Sequence, residues 1–111
     1  TASLAYRAAC KSVRPGVSCG YVDGMARGLI EQAGYGRLFG HGLGHGVGLN
    51  VHEEPVLSRT GGCILAAGMV FTIEPGIYAP GMGGVRLEST VILGAEGLEI
   101  LGGKGEEARF I

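Results

Sequence analysis

The chain carries all three of its histidines in the segment 40–52, where glycine fills every second position from 40 to 48. His41 and His45 would share one face of a helix, but five glycines, at about 1 kcal/mol each, make a helix improbable there. An extended segment rises about 3.3 Å per residue, which separates His41 from His45 by about 13 Å. Two residues so far apart cannot hold one metal ion, so the spacing predicts a single histidine ligand.

The alternation of glycine with larger residues also predicts which way this segment faces. Strand geometry places alternate side chains on one face and leaves bare glycine backbone on the other, where another layer or a ligand can approach closely. His52 has the opposite parity, so it reaches the same site only if the chain bends between residues 49 and 51. The residues predicted to share the first face are His41, Leu43, His45, Val47 and Leu49.

Two glutamates, Glu74 and Glu88, stand inside or at the end of apolar segments with strand-like patterns. A carboxylate is expensive to bury unless a cation or hydrogen bonds satisfy it. Taken singly, each glutamate fits a solvated charge at a strand end, and His45 fits a hydrogen-bonded structural histidine. Taken together, one histidine and two glutamates on successive strands can converge, and nitrogen plus oxygen ligands suit Mn, Co, Zn or Fe(II).

Two helices are predicted in the first third of the chain. An alanine-rich stretch from Ala2 to Val13 forms the first, and the second runs from an N-cap at Ser18 to a terminating Gly34. Gly24 and Gly28 weaken the second helix, which predicts close packing against a sheet as compensation. The positions expected to face the core are Leu4, Ala5, Ala8, Ala9 and Val13 in the first helix and Val22, Met25, Ala26, Leu29, Ile30 and Ala33 in the second.

Strands are predicted over residues 68–74, 84–93 and 98–101. Pro75-Gly76 ends the first of them, and a turn at Ala95-Glu96-Gly97 joins the other two. Two helices followed by several strands predict an α+β domain with the helices on one face of a largely antiparallel sheet.

The composition excludes several classes of partner. A net charge of -1 gives no electrostatic reason to bind nucleic acid, and no apolar run approaches the roughly 20 residues of a membrane span. Charged residues make up only 17% of the chain, against about 25% in typical domains, so we expect it to bury surface against a partner. The three cysteines are odd in number and widely spaced, which predicts reduced thiols and a cytoplasmic protein.

Four motifs together resemble a known family. They are Gly-His-Gly-Leu-Gly-His-Gly-Val-Gly-Leu at 40–49, Val-His-Glu at 51–53, Gly-Met-Val-Phe-Thr-Ile-Glu-Pro-Gly-Ile-Tyr at 68–78 and Gly-Gly-Val-Arg-Leu-Glu at 83–88. In these residues the chain is similar to the C-terminal half of the pita-bread metallopeptidases, in the Xaa-Pro aminopeptidase and prolidase branch. The resemblance implies half of a pita-bread fold over residues 1–111, with two helices packed on a curved, mainly antiparallel sheet.

The resemblance assigns the metal ligands. It implies that His45, Glu74 and Glu88 bind metal, that Glu88 bridges two divalent ions, and that Glu74 also acts as general base toward the bridging water. It implies Mn or Co as the ions, with Zn or Fe as alternatives. Two metals would lower the pKa of a shared water and polarise the scissile carbonyl.

The same resemblance assigns the substrate contacts. It implies that His52 stabilises the tetrahedral intermediate or shuttles a proton, that His41 lines the pocket for the proline side of the substrate, and that Arg86 orders the site or binds substrate. The substrate would be a peptide with proline at the second position, cleaved at the Xaa-Pro bond.

The chain departs from the family pattern in two ways. The family needs two further aspartate ligands, and the only aspartate here is Asp23, placed in a helix. We therefore expect an N-terminal half of the fold to supply them, and we expect the isolated chain to self-associate through its uncovered sheet. Ser89 stands where this branch usually has an acidic residue after the second glutamate.

Two other functions remain open from the sequence. A peptide- or protein-binding module on the same fold would have no activity, and the missing aspartates favour it. A metal-free hydrolase like creatinase would use a histidine for acid–base chemistry and would be insensitive to chelators. The joint presence of His45, His52, Glu74 and Glu88 favours the metallopeptidase.

Overall fold

The structure is a computed structural model that describes residues 1–47 and 55–101 in full and residues 108–110 as backbone. Two helices come first, α1 (Ala2–Ser12) and α2 (Cys19–Gln32), and a 3-10 turn over Gly36–Leu38 follows them. The strands within the described residues are β1 (Gly44–His45), β2 (Val56–Leu57), β3 (Val70–Ile73), β4 (Gly76–Ala79), β5 (Gly83–Leu87), β6 (Ser89–Gly94), β7 (Gly97–Leu101) and β8 (Ala108–Phe110).

Both ends of α2 follow the sequence prediction. The Ser18 hydroxyl accepts a hydrogen bond of 3.0 Å from the Tyr21 amide, which satisfies one donor that the first turn of a helix leaves unpaired. At the other end Gly34 has a φ of +90°, and the amides of Gly34 and Tyr35 bond back to carbonyls of the last turn. This pair of bonds is the Schellman motif that glycine commonly closes.

The buried faces of the helices differ in part from the prediction. Leu4 is 59% exposed and Met25 is 40% exposed, so both were wrongly assigned to the core, as was the exposed Ala33. In α1 the buried stripe includes Tyr6, because its hydroxyl shares a hydrogen bond of 2.7 Å with Ser89 of β6. The predicted core positions that are buried are Ala5, Ala9, Val13, Val22, Ala26 and Ile30.

The glycines of α2 do not allow the close packing that the sequence predicts. A Cβ atom added to Gly24 or to Gly28 would meet no heavy atom within 4 Å. The prediction of a sheet lying against these glycines is wrong, because the buried stripe of α2 is the opposite one, which carries Val22, Ala26 and Ile30, and α2 contacts mainly α1, the 3-10 turn and β2.

The sheet is antiparallel at every strand pair in the described part of the chain. Strands β3, β6 and β7 form one ladder in the order β3-β6-β7, and β4, β5 and β8 form another in the order β4-β5-β8. The short β1 pairs with β2 and continues to β3 through a bridge between Gly46 and Phe71. The turn predicted between the last two strands is confirmed, since Gly94 pairs with Gly97 across it.

The two larger ladders join at the two glutamates. β3 runs into β4 through Glu74 and Pro75, and β5 runs into β6 through Glu88. The strand predicted over 84–93 is therefore interrupted at Glu88, and β4 continues the sheet where the sequence predicts a break. Ile73 pairs with Ser89 on one side of the junction and Gly76 with Arg86 on the other. Both ladders keep one register, so Glu74 and Glu88 occupy opposite positions at the junction between the ladders.

The core lies between the helices and one face of this sheet. Both helices contact each other, α1 contacts β3 and β5, and α2 contacts β2. The predicted α+β organisation is confirmed. The fully buried large side chains are Tyr6, Val22, Ile30, Leu43, Leu57, Leu65, Phe71, Ile73, Leu87, Val91 and Leu93.

Neither of the two helices in the described residues has the length and apolar character needed to cross a bilayer.

Two glycine substitutions should have opposite effects on stability. A Cβ added to Gly44 would overlap the carbonyl oxygen of Thr72, so Gly44→Ala should lower the free energy of unfolding by about 1–3 kcal/mol, as overpacking does. Gly24→Ala meets open space and should raise it by up to about 1 kcal/mol. Denaturant unfolding of both variants checks this, and a neutral Gly44→Ala would contradict the close approach of β1 to β3.

Candidate metal centre

His45 points one ring nitrogen at a carboxylate. Its Nδ1 lies 2.9 Å from the carbonyl oxygen of Gly46, and a carbonyl can only accept, so Nδ1 carries the proton. In the neutral ring Nε2 then holds a lone pair, and it lies 3.9 Å from Oε2 of Glu74. A backbone carbonyl that fixes the ring in this way is the usual partner of a metal-binding histidine.

The distance between His45 and Glu74 fits two ligands of one ion. At 3.9 Å it is longer than a hydrogen bond, which spans roughly 2.7–3.2 Å. Two ligand atoms on one ion, each with a bond of about 2.1 Å, lie at most about 4.2 Å apart. The side chain of His45 is 48% exposed and that of Glu74 is 19% exposed, so the pair opens to the surface.

His41 is engaged elsewhere. Its Nδ1 donates to the carbonyl of Gly42 at 2.7 Å, and its Nε2 lies 2.8 Å from the hydroxyl of Tyr78. In the neutral ring the Tyr78 hydroxyl therefore donates to Nε2 and occupies its lone pair. This arrangement supports the interpretation that one histidine in this segment, His45, is the ligand.

Glu88 pairs with a neighbouring cation. Its Oε2 lies 3.5 Å from Nε of Arg86, and that buried nitrogen makes no hydrogen bond within the described residues. The register puts Glu88 opposite Glu74, and like charges on opposite residues of a sheet repel. Arg86 offers Glu88 an opposite charge, which relieves that repulsion.

The three predicted ligands are only partly brought together. Among the described residues, no three His, Cys, Asp or Glu side chains lie close enough to hold one ion. His45 and Glu74 lie together, and Glu88 stands opposite them in register but beside Arg86. The donor set of one imidazole and two facing carboxylates suits a divalent cation. His52, the predicted proton shuttle, lies outside the described residues.

The histidine segment does not present a single face. Leu43 is fully buried, whereas His45 and Val47 are exposed. The regular strand begins only at Gly44, so Leu43 precedes it and points into the core. Close approach on the glycine side is confirmed at Gly42, where an added Cβ would lie 2.9 Å from the carbonyl of Leu57, but not at Gly40, where it would meet no heavy atom within 4 Å.

A buried ion pair in α2 holds this segment, and the sequence analysis missed it. Asp23 is fully buried and accepts hydrogen bonds from Arg27 at 2.8 and 3.1 Å. The same carboxylate accepts the Leu43 amide at 3.1 Å. These three hydrogen bonds engage both carboxylate oxygens of Asp23 inside the core. The spacing of Asp23 and Arg27 at i, i+4 on the apolar stripe of a helix was the signal that could have found the pair.

Arg27 also attaches the histidine segment to α2. Its guanidinium donates to the carbonyl of Phe39 at 2.9 Å and to that of His41 at 2.8 Å, and it lies 4.1 Å from the centre of the Phe39 ring. Leu43 in turn accepts a hydrogen bond of 2.7 Å from the Glu74 amide. The ion pair therefore fixes the backbone on both sides of His41 and, through Leu43, the first glutamate.

Comparison with known proteins decides the family. The model of metallopeptidase family M24 matches residues 1–95. The chain belongs to this family.

Similar M24 proteins are named as dipeptidases. The chain is 50% identical over 97 residues to the putative dipeptidase YkvY of Bacillus subtilis, covering 87% of the chain and 27% of that protein. It is 48% identical over 93 residues to an Xaa-Pro dipeptidase of Pyrococcus horikoshii, covering 84% of the chain and 26% of that protein. The M24 chain thus spans about a quarter of the length of these relatives.

A solved structure extends the similarity to the fold. The prolidase from Pyrococcus furiosus superposes with a TM-score of 0.86 at 45% identity, over 90% of this chain and 30% of that one. The fold is that of part of the pita-bread architecture, as the motifs imply. In the M24 chain the hydroxyl of Ser89 shares a hydrogen bond of 2.7 Å with that of Tyr6, which ties α1 to β6 beside Glu88.

Breaking the buried ion pair should destabilise this M24 chain far more than breaking a surface pair. Arg27→Met leaves the Asp23 charge buried without its cation and should lower the free energy of unfolding by about 3–5 kcal/mol. Arg59→Met is the matched control, because Arg59 pairs with Glu31 at the surface at 3.3 Å and such pairs contribute at most about 1 kcal/mol. Denaturant unfolding measures both, and equal losses would contradict the positioning role of Arg27.

Proposed function

We propose that residues 1–111 form the C-terminal portion of a metal-dependent peptidase that hydrolyses the Xaa-Pro bond at the N-terminus of peptides. The observation that carries the proposal is the junction of the sheet, where Glu74 and Glu88 occupy opposite positions and His45 Nε2 lies 3.9 Å from Glu74. Two like charges held face to face beside an imidazole lone pair favour a cation at this point. The similar proteins named as Xaa-Pro dipeptidase and prolidase support this substrate class.

The proposed metal ligands are His45, Glu74 and Glu88, with two divalent ions in the complete site, Mn or Co in preference to Zn or Fe. Ions bound there would supply a nucleophile at neutral pH and polarise the carbonyl of the scissile bond. The Gly46 carbonyl fixes the ring of His45, and the shared register holds Glu74 and Glu88 at opposite positions.

Other side chains of this chain handle the proton and the substrate. Glu74 accepts the proton of the attacking water as general base and passes it to the leaving proline nitrogen. His41 contributes to the pocket for the proline side of the substrate. Its hydrogen bond to Tyr78 holds the ring in place. Arg86 binds substrate or orients Glu88, and His52 stabilises the tetrahedral intermediate or moves a proton.

The proposal needs a second half of the fold. Asp23 is taken up by Arg27 and by the Leu43 amide, so two further aspartate ligands must come from residues outside this chain. The coverage of only 26% of the Pyrococcus horikoshii relative leaves room for them. We place the complete enzyme in the cytoplasm, because three widely spaced cysteines do not form the even-numbered framework typical of secreted, disulfide-bonded proteins.

Self-association of the isolated chain is part of the same proposal. Met82 is 89% exposed at the tip of the β4–β5 hairpin, beside a surface cavity of about 760 Å³ between that hairpin and the start of α1. Uncovered apolar surface of this kind favours association. Sedimentation velocity should show oligomers of the isolated chain, and a compact monomer at high concentration would contradict this.

Removing either glutamate should abolish peptidase activity in the complete polypeptide. Glu74→Gln and Glu88→Gln keep the side-chain shape but remove a charged ligand, and in Glu74 the base as well, so kcat/KM for an Xaa-Pro dipeptide should fall at least about 100-fold. Glu99→Gln is the control, because Glu99 is exposed on β7, and it should leave the rate unchanged.

The outcome separates the alternatives. Wild-type rates in Glu74→Gln and Glu88→Gln would refute the proposed roles. Absence of hydrolysis by the wild type, with metal still bound, would favour a binding module on the same fold. Hydrolysis that survives a chelator would favour a metal-free hydrolase.

A further inference from the structure

The segment before α2 pairs with the segment after β2. Ser18 and Ile64 form an isolated antiparallel bridge. On either side of it the Cys19 amide donates to the Cys63 carbonyl and the Leu65 amide to the Val17 carbonyl, each at 2.8 Å. These two bonds continue the antiparallel register, so Cys19 and Cys63 stand directly opposite each other.

The spacing of opposite residues suits a disulfide. Hydrogen-bonded pairs in antiparallel strands have Cα atoms about 5.5 Å apart. Native disulfides join Cα atoms about 4.4–6.8 Å apart. The Cα spacing expected from the register therefore lies within the range that a disulfide spans.

The side chains of Cys19 and Cys63 also project to the same face of the paired segments. A Cβ atom added to Gly61 would lie 3.0 Å from Cβ of Cys19, so Cys19 projects over the face on which a side chain at 61 would stand. Opposite residues of an antiparallel pair project to the same face, which puts Cys63 on that face too.

The thiols of Cys19 and Cys63 differ in solvent exposure. Cys19 is fully buried in the first turn of α2, whereas Cys63 is partly exposed. The Cys63 thiol donates to the carbonyl of Ile64 at 3.7 Å, and a thiol is a weak donor. Rotation of the Cys63 side chain toward Cys19 therefore loses only this weak hydrogen bond.

We propose that Cys19 and Cys63 form a reversible disulfide when the protein meets a low-molecular-weight disulfide. The Cys63 thiolate attacks one sulfur of that oxidant, forms a mixed disulfide and releases one small thiolate. The Cys19 thiolate then attacks the Cys63 sulfur, forms the intramolecular bond and releases the second small thiolate. The two protein thiols lose two electrons and two protons, and the small disulfide is reduced to two thiols.

The bond would join the start of α2 to the segment that follows β2. Asp23 and Arg27 lie in the turns just after Cys19, and His41 and His45 lie in the part of the chain that the bond encloses. Oxidation would therefore hold α2, the helix that positions the candidate metal centre, against the sheet. This inference depends on the register alone and is independent of the proposed function.

Oxidation of the complete polypeptide with oxidised glutathione tests the proposal. After removal of excess oxidant and blocking of remaining thiols, peptide mapping without reduction should yield one linked pair, made of the peptides that contain Cys19 and Cys63. Dithiothreitol should separate them. Cys63→Ser should abolish the link, and Cys10→Ser should leave it unchanged.

Three results would overturn the proposal. One is that the peptides of Cys19 and Cys63 both carry the blocking group after oxidation. Another is a link between Cys63 and Cys10, and the third is a link between two molecules. Circular dichroism of Cys63→Ser verifies that the variant is folded, and Cys19→Ala offers a second test of the pair.

Discussion

The ion pair of Asp23 and Arg27 sets where the reactive residues lie. Removing two charges from water is expensive, and the attraction between them offsets that only when further hydrogen bonds satisfy both groups. Here those bonds go to the backbone around His41 and Leu43. The stability of α2 and the placement of the histidine segment therefore depend on each other, which explains why an irregular, glycine-rich segment can hold a defined position against β3.

The second constraint is the register shared by two pairs of strands. β3 and β6 on one side, and β4 and β5 on the other, keep one register through the junction of the two ladders, so Glu74 and Glu88 must face each other. A sheet would normally avoid two opposite carboxylates. Arg86 and His45 lie beside them, and together these groups leave a site whose charge favours a divalent ion. The repulsion between the two carboxylates and the proposed chemistry have the same origin.

The sequence correctly predicted the features that depend on residues close together in the chain. The cap at Ser18, the stop at Gly34 and the hairpin around Glu96 depend on neighbours in the chain, and all are present. Contacts between distant residues could not be predicted this way. Tyr6 turns inward to reach Ser89, and Leu43 turns inward ahead of β1 to donate its amide to Asp23, each because of a partner in another element. The pair of Asp23 and Arg27 is local, and its i, i+4 spacing could have predicted it. The sequence pattern singled out Glu74 and Glu88 one at a time. That they occupy opposite positions in the sheet could be learned only from the strand register.

Thermal unfolding with and without Mn²⁺ tests the central claim, that the opposed glutamates and His45 bind a divalent ion. A ligand that binds only the folded state stabilises it by about 2.7 kcal/mol at one hundred times its Kd. In the complete polypeptide the midpoint should therefore rise with Mn²⁺ and return when a chelator is added. Glu74→Gln should remove most of that rise, whereas Glu99→Gln should keep it. An equal rise in wild type and Glu74→Gln would contradict the account, because the ion would then bind somewhere else.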